Sequence, residues 1–231
     1  MHRNRLLLLA VALGAAAIVV VVLVVAGGGA SSPSTTTTTA AAPAAAASMF
    51  AGIPQHGDTL GRPGAPVSLI VYEDPQCPFC RQWNIDTLPT VVRDYVRTGR
   101  VKLVYRGIVV IGGNSVAGLR AIYAAGNQNK LWNMAEAMYE RQGGENSGWI
   151  TLAVIRDAAR EIKANPAKIV ADADSKSVTA ALTQTAKEAA SLGINGTPIF
   201  ATQKPLGTLQ QLRVAGLEPS DFTPALDAAL R

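Results

Sequence analysis

Cysteine and histidine are scarce, since the 231-residue chain contains two of each. A structural zinc site needs four ligands, which are usually cysteine or histidine. Besides Cys77 and Cys80, the chain offers only His56 and the terminal His2, so we expect no metal site. His56 lies in a stretch rich in glycine and proline, and we interpret it as a surface residue rather than a catalytic base.

The chain also lacks clusters of charge. Its formal net charge is +5, and two of the basic residues, Arg3 and Arg5, stand before a hydrophobic run. The remaining lysines and arginines are scattered along the sequence. Proteins that bind nucleic acids usually concentrate their basic residues in a patch or stripe. We therefore expect no nucleic-acid partner.

Residues 6–26 carry no charge at all. A helix of that length spans roughly 30 Å, enough to cross a bilayer, whereas the apolar part of a cleavable signal is usually about 7–15 residues long. We predict that residues 1–26 form a transmembrane anchor or signal segment, with the anchor favoured. The alternative is cleavage near Ala30, which would give a soluble secreted form. The arginines before the run predict an N-terminus inside the cytoplasmic membrane and a domain outside it, on the periplasmic or cell-wall side.

Residues 27–49 consist mostly of glycine, serine, threonine, alanine and proline. Such a tract buries too little apolar surface to offset the entropy lost on ordering it. We therefore predict a flexible, low-complexity linker. Residues 50–231 have the length of one globular domain.

The start of this domain has the pattern of a strand, a helix and a second strand. The segment "APVSLIVYED" contains an apolar run that is typical of a strand buried on both faces. In "RQWNIDTLPTVVRDYVRTG" apolar residues recur at helical spacing, with a kink expected at Pro89 and an end at Gly99. The segment "VKLVYR" predicts a second strand, parallel to the first.

A block of helices follows, and the chain ends with a hairpin and a helix. The first helix of the block, in "NSVAGLRAIYAAGNQ", has Asn114 as its expected N-cap. The segments "TPIFAT" and "LQQLRVAG" predict a β-hairpin. The segment "PSDFTPALDAALR" predicts a closing helix capped at Ser220 or Asp221. The fold class is therefore α/β.

Cys77 and Cys80 lie in "DPQCPFC", directly after the first predicted strand. A disulfide between residues so close in sequence restricts the unfolded chain little, which disfavours a purely structural role. A CxxC motif in a strand–helix–strand unit favours redox chemistry. If the helix begins at Pro78, which suits the first turn because it has no N–H, Cys77 occupies the N-cap. Unpaired N–H groups and the helix dipole would then stabilise its thiolate.

The two cysteines have different expected roles. Cys77 would form a mixed disulfide with a client protein, and Cys80, one turn later and more buried, would be the resolving cysteine. Phe79, in the dipeptide Pro78–Phe79 between them, either contacts apolar stretches of a client or is a packed ring.

The order "CPFC" after a strand, a long helical block, and "GTP" before a strand resembles the thiol oxidoreductases of the thioredoxin fold. It is most similar to the exported DsbA-like group, which carries a helical insertion, here at about residues 107–192. The resemblance implies a thioredoxin fold with an inserted α-helical subdomain over residues 50–231. It also implies that Pro198 is cis beside the reactive disulfide, and that Thr197 offers backbone groups to an extended substrate.

The chain departs from its relatives at two positions. Where thioredoxins have a buried acid, this chain has Val71. Glu73 and Asp74 are nearer to the cysteines in sequence, and act either as proton acceptors or as solvated surface groups. Where the enterobacterial DsbA dipeptide has a histidine, this chain has Phe79, which should make Cys77 less acidic than in that protein.

The resemblance implies a dithiol oxidase that introduces disulfides into unfolded or reduced exported proteins. An oxidase is left reduced after each client, so we expect a DsbB- or VKOR-type membrane quinone reductase as its recharging partner. We expect no cofactor other than the Cys77–Cys80 disulfide. We also expect the protein to be a monomer. The nearest alternative is a reductase or isomerase with the same fold. An alternative of another class is a redox-inert holdase or adaptor.

Overall fold

The computed structural model describes residues 48–231. The predicted anchor, 1–26, and nearly all of the predicted linker, 27–49, lie outside the described residues. Within residues 48–231, no helix has both the length and the apolar character needed to cross a membrane.

A mixed β-sheet forms the centre of the described residues. Its strands are β1 (Gln55–His56), β2 (Thr59–Leu60), β3 (Val67–Glu73), β4 (Val101–Gly107), β5 (Ile199–Gln203) and β6 (Gln210–Gln211). Their order across the sheet is β1-β2-β4-β3-β5-β6. Strands β3 and β4 are parallel, as the sequence predicts, and β5 is antiparallel to β3. Apart from half-buried Ser68, β3 is buried along its length, because it lies inside the sheet and is covered on both faces.

The helix that follows β3 is not regular. It consists of α1 (Pro78–Gln82), a π-helical turn (Trp83–Thr87), α2 (Leu88–Val91) and a second π-helical turn (Val92–Val96). The wider π-helical turns lie on both sides of the segment that contains Pro89, where the sequence predicts a kink; such turns are a known cause of helix bending. The chain leaves the helix at Gly99, which has a φ of 78° and is the residue at which the end is predicted.

Five helices lie between β4 and β5 in the described chain. They are α3 (Ser115–Gly126), α4 (Leu131–Glu140), α5 (Leu152–Glu161), α6 (Pro166–Asp172) and α7 (Lys176–Ser191). Side chains of Thr151, Asn165 and Ser175 accept hydrogen bonds from the first turns of α5, α6 and α7. Asn114 precedes α3 as predicted, but it has helical backbone angles and makes no side-chain capping bond.

The end of the chain forms the predicted hairpin and helix, with two differences. Strand β6 is only two residues long. The closing helix, α8 (Pro219–Leu230), has Glu218 as its N-cap, so the predicted caps at Ser220 and Asp221 are wrong. Pro219 is suited to the first helical position because it has no N–H, and the helix therefore begins earlier. Asp221 instead completes a capping box, accepting from the Glu218 N–H at 3.0 Å.

Aromatic side chains join these elements beneath the CxxC motif. The Trp83 ring lies 4.8 Å from the Phe200 ring and 4.5 Å from the Phe222 ring, measured between centroids. These three residues belong to the first π-helical turn, β5 and α8, and each is buried. The cluster therefore fixes the helix that carries Cys80 against the sheet.

Candidate active site

Cys77 occupies the N-cap of α1, as the sequence predicts. Its backbone is extended, with φ −72° and ψ 119°, and Pro78 is the first helical residue. The Cys77 N–H donates to the Asp74 carbonyl oxygen at 3.0 Å, which closes the turn after β3. The strand, the turn and the proline thus aim the Cys77 sulfur at the start of the helix.

Both thiols are free and buried, and Cys80 is the less accessible of the two. The backbone N–H of Cys80 donates to the Cys77 sulfur at 3.4 Å. The Cys77 thiol donates to the carbonyl oxygen of Thr197 at 3.2 Å. The exposed fraction of Cys77 is 3% and that of Cys80 is 0%, so an incoming thiol has easier access to Cys77.

The two thiols have opposite pKa shifts. The pKa of Cys77 is lowered to about 6, chiefly by a hydrogen bond from the Cys80 thiol, with further help from the backbone N–H groups of Phe79 and Cys80. Burial acts against this lowering. The pKa of Cys80 is raised well above that of a free thiol, first by burial and then by Cys77 and the charge of Glu73. At neutral pH the reduced pair therefore holds a thiolate at Cys77 and a thiol at Cys80.

The Thr197–Pro198 peptide bond is cis, and it lies beside the CxxC motif. The Thr197 carbonyl that accepts from Cys77 belongs to this bond. The fold thus brings together two motifs that are 120 residues apart in the chain. The Thr197 hydroxyl is buried and has no hydrogen-bond partner among residues 48–231.

Glu73 is fully buried at the end of β3. Burial raises its pKa to about 8. Two hydrogen bonds oppose this shift, from Asn84 Nδ2 at 2.9 Å and from the Tyr139 hydroxyl at 3.1 Å. The alternative that Glu73 is a solvated surface group is therefore wrong, and near neutral pH its carboxyl group can hold or release a proton.

Asp74 is also fully buried, so it is not a solvated group either. Its carboxylate accepts from the N–H groups of Gln76, Val110 and Ile111 at 2.9, 2.7 and 2.9 Å. It also accepts from the Ser115 hydroxyl at 2.6 Å. These four bonds tie the turn before Cys77 to the loop that enters the helical block.

Three polar residues support the site although the sequence did not single them out for it. Asn84 also donates to the Cys80 carbonyl at 2.9 Å. Gln142 Nε2 donates to the Cys77 carbonyl at 3.0 Å, and Tyr139 bonds Glu73. Asn84 could have been found from its spacing, because residues four apart share a helix face. Tyr139 and Gln142 carry no such signal, since they reach the site only through the fold.

An open groove of about 590 Å³ runs beside the motif, and Phe79, Thr197, Pro198 and Leu212 are among its lining residues. Phe79 is 61% exposed, so the alternative that it is a packed ring is wrong. Contact between Phe79 and a client stays a prediction. Within residues 48–231, no group of three or more histidine, cysteine, aspartate or glutamate side chains could hold a metal ion.

Comparison with known proteins gives consistent results. Residues 55–205 match the family model described as Thioredoxin. The chain is 28% identical over 156 residues to a probable disulfide bond formation protein D of Bacillus cereus, a match covering 65% of this chain and 70% of that protein. Its fold matches oxidised BdbD of Bacillus subtilis with a TM-score of 0.65 and 19% identity, over 77% of this chain and 97% of the other. It also matches a thioredoxin-like oxidoreductase of Silicibacter pomeroyi, with a TM-score of 0.58, 28% identity, and coverage of 78% and 95%.

Proposed function

We propose a direction of electron flow, a cellular location and a set of partners for this chain. The chain belongs to the thioredoxin family and is a DsbA-like thiol–disulfide oxidoreductase. The proposed function is that of an extracytoplasmic dithiol oxidase, which introduces disulfides into exported proteins. The name of the Bacillus cereus relative, a probable disulfide bond formation protein, agrees with this direction.

The lowered pKa of Cys77 is the observation that carries the proposal. A stabilised Cys77 thiolate favours the reduced form of the pair, and this makes the disulfide a stronger oxidant. A reductase is better served by a less acidic thiol, as in thioredoxin, whose reactive cysteine has a pKa of about 7. The Cys77 pKa of about 6 lies below that value.

Oxidation of a client begins when a client thiolate attacks the sulfur of Cys77. A client–Cys77 disulfide forms, the Cys77–Cys80 bond breaks, and its electron pair stays on Cys80. Because the Cys80 pKa is raised, this sulfur takes up a proton, and Glu73, with a pKa of about 8, is the buried group that supplies it. A second client thiolate then attacks the client sulfur, which completes the client disulfide and releases Cys77 as a thiolate.

Substrate contacts in this scheme come from the walls of the groove. Thr197 and Pro198 would receive the client backbone next to the reacting sulfur, a form of strand addition. Phe79 would contact apolar side chains of an unfolded client, because its exposed ring borders the same groove. Pro78 starts the helix whose N–H groups hold the Cys77 thiolate.

Each turnover leaves both cysteines reduced, so the enzyme needs an electron acceptor. A DsbB- or VKOR-type quinone reductase in the membrane would fill this role, and no cofactor beyond the disulfide would be needed. An exported location suits this chemistry, because glutathione and thioredoxin keep thiols reduced in the cytosol. Residues 6–26 would anchor the chain there, with the catalytic domain outside. Labelling of Cys77 in intact cells by a thiol reagent that cannot cross the membrane tests this location.

The function is tested by mixing the oxidised protein with a reduced, unfolded client that contains a cysteine pair. We expect one client disulfide to form for each enzyme disulfide lost. The reduced Cys80→Ser variant should accumulate a mixed disulfide when it is given a client that already carries a disulfide. Its Cys77 thiolate breaks the client disulfide, and no Cys80 thiol is present to resolve the product. Cys77→Ser should be inactive. If the double serine variant assists client folding as well as the parent does, the chain is a holdase. If the enzyme only removes client disulfides, it is a reductase.

A further inference from the structure

The groove beside Cys77 contains one charged side chain. Among the described residues that line it, Arg213 alone is ionisable. Arg213 is exposed and takes part in none of the ion pairs formed within residues 48–231. The arginines that do form such pairs are Arg93, Arg100, Arg106, Arg120, Arg141 and Arg160.

The position of Arg213 is fixed by the sheet. It follows β6, which is an edge strand, and the neighbouring Leu212 N–H donates to the Phe200 carbonyl at 2.9 Å. Leu212 and Val214 are half-buried while Arg213 is exposed. Arg213 therefore lies on the groove wall between two half-buried apolar residues, and its own side chain is exposed.

We propose that Arg213 selects clients that carry an acidic residue near the reacting cysteine. This inference rests on the proposed function, since it concerns the clients of the same groove. A guanidinium binds a carboxylate through two parallel hydrogen bonds. Because Arg213 is exposed, the attraction is that of a solvent-exposed ion pair. The same charge disfavours a client with lysine or arginine at that position, which gives discrimination through repulsion as well as attraction.

The test uses three dithiol peptides that differ only in one residue beside the cysteine, which is Asp, Asn or Lys. The oxidised full-length protein is the oxidant. The kcat/KM for each peptide is divided by the rate constant with which the same peptide reacts with a small uncharged disulfide. This correction removes the effect of the neighbouring charge on the thiol itself. We expect the corrected kcat/KM to be highest for the Asp peptide, lower for the Asn peptide and lowest for the Lys peptide. Each step should be about two- to fivefold at low ionic strength, which corresponds to the free energy of an exposed ion pair. The steps should shrink in high salt.

Variants assign the preference to Arg213. Arg213→Gln should abolish the order and Arg213→Glu should reverse it. The matched control is Lys204→Glu, which changes the charge equally at the turn after β5 but outside this groove, and it should keep the order. Dithiothreitol, an uncharged dithiol, should be oxidised at the same rate by all four proteins.

The outcomes separate the inference from the function on which it rests. If dithiothreitol is oxidised but the parent shows no order, or Arg213→Glu keeps the parent order, Arg213 does not select clients and the inference is overturned. If the parent oxidises neither dithiothreitol nor any peptide, the proposed oxidase function fails and the inference fails with it.

Discussion

Cys77 and Cys80 are one helical turn apart, but their sulfurs have different surroundings. Cys77 faces the first N–H groups of α1 and the Thr197 carbonyl, whereas Cys80 is enclosed by the core. The sequence predicts the N-cap position and the greater burial of Cys80, because both follow from where the helix begins. It does not predict the pKa of Glu73, which depends on how completely the fold encloses the end of β3.

Replacing Thr197 with valine should raise the pKa of Cys77. The Thr197 side chain lowers that pKa. Its buried hydroxyl has no hydrogen-bond partner among the described residues, so it is free to donate to the Cys77 sulfur when that sulfur is a thiolate. Losing one donor to a thiolate should raise the pKa by about one unit. The thiolate absorbance of the reduced protein, followed against pH, measures the change. Thr202→Val, on the strand β5 that follows Thr197, is the control and should leave the titration unaltered. An unchanged curve for Thr197→Val would contradict this role.

Glu73→Gln should change how stability depends on pH. The folded pKa of about 8 lies above the ordinary value of 4.5, so the folded protein holds this proton more tightly than the unfolded chain does. The resulting stabilisation is fully present below about pH 4.5 and is lost as the pH rises to about 8. Over this pH window we expect the free energy of unfolding of the parent to fall by several kcal/mol. The variant should not show this loss.

Urea unfolding of the oxidised protein at a series of pH values measures this difference, because neither cysteine titrates in that form. The charge of Cys77, which helps to raise the Glu73 pKa in the reduced protein, is then absent, so the window ends somewhat lower. Glu145→Gln, at an exposed glutamate, is the matched control and should follow the parent. If Glu73→Gln and the parent lose stability in parallel between pH 4.5 and 8, Glu73 does not hold a proton in the folded state.

At the scale of elements, the closing helix α8 depends on its capping box. Asp221 accepts from the Glu218 N–H at 3.0 Å, and the Glu218 side chain caps the first turn in return. Asp221→Ala should lower the free energy of unfolding by about 0.5–2 kcal/mol, the usual cost of a lost cap. Ser220→Ala is the control, because Ser220 makes no capping bond. Equal effects of the two substitutions in urea unfolding would contradict the capping box.

The elements that the sequence predicts are those with long, regular patterns. Strands β3 and β4 have seven residues each, which is long enough for the sequence to show the apolar pattern of a strand. Strands β1 and β2 have two residues each, too few to show a period, and they pair only because β4 offers a free edge. The π-helical turns around Pro89 are not predicted either. A π-helical turn contains about one residue more than an α-helical turn, which changes the spacing of the apolar residues little.

At the scale of the molecule, Asp74 connects the sheet to the helical block. Its carboxylate bonds join the turn after β3 to Val110, Ile111 and Ser115. Asp74→Asn keeps the shape but places an NH₂ group against N–H donors, so at least one buried donor loses its acceptor. We expect the free energy of unfolding to fall by about 3 kcal/mol. Asp94→Asn, at an exposed ion pair with Arg93, is the control and should change it little. A loss for Asp74→Asn no larger than that of the control would show that these bonds do not hold the two parts together.

The reduction potential of the Cys77–Cys80 pair, measured in equilibrium with glutathione, tests the central claim most directly. If the Cys77 thiolate is stabilised as the geometry requires, the potential should lie near or above roughly −180 mV, the value typical of disulfide isomerase-like donors. The protein would then pass its disulfide to reduced clients. A potential near roughly −270 mV, as in thioredoxin, would contradict the account and make the protein a reductase.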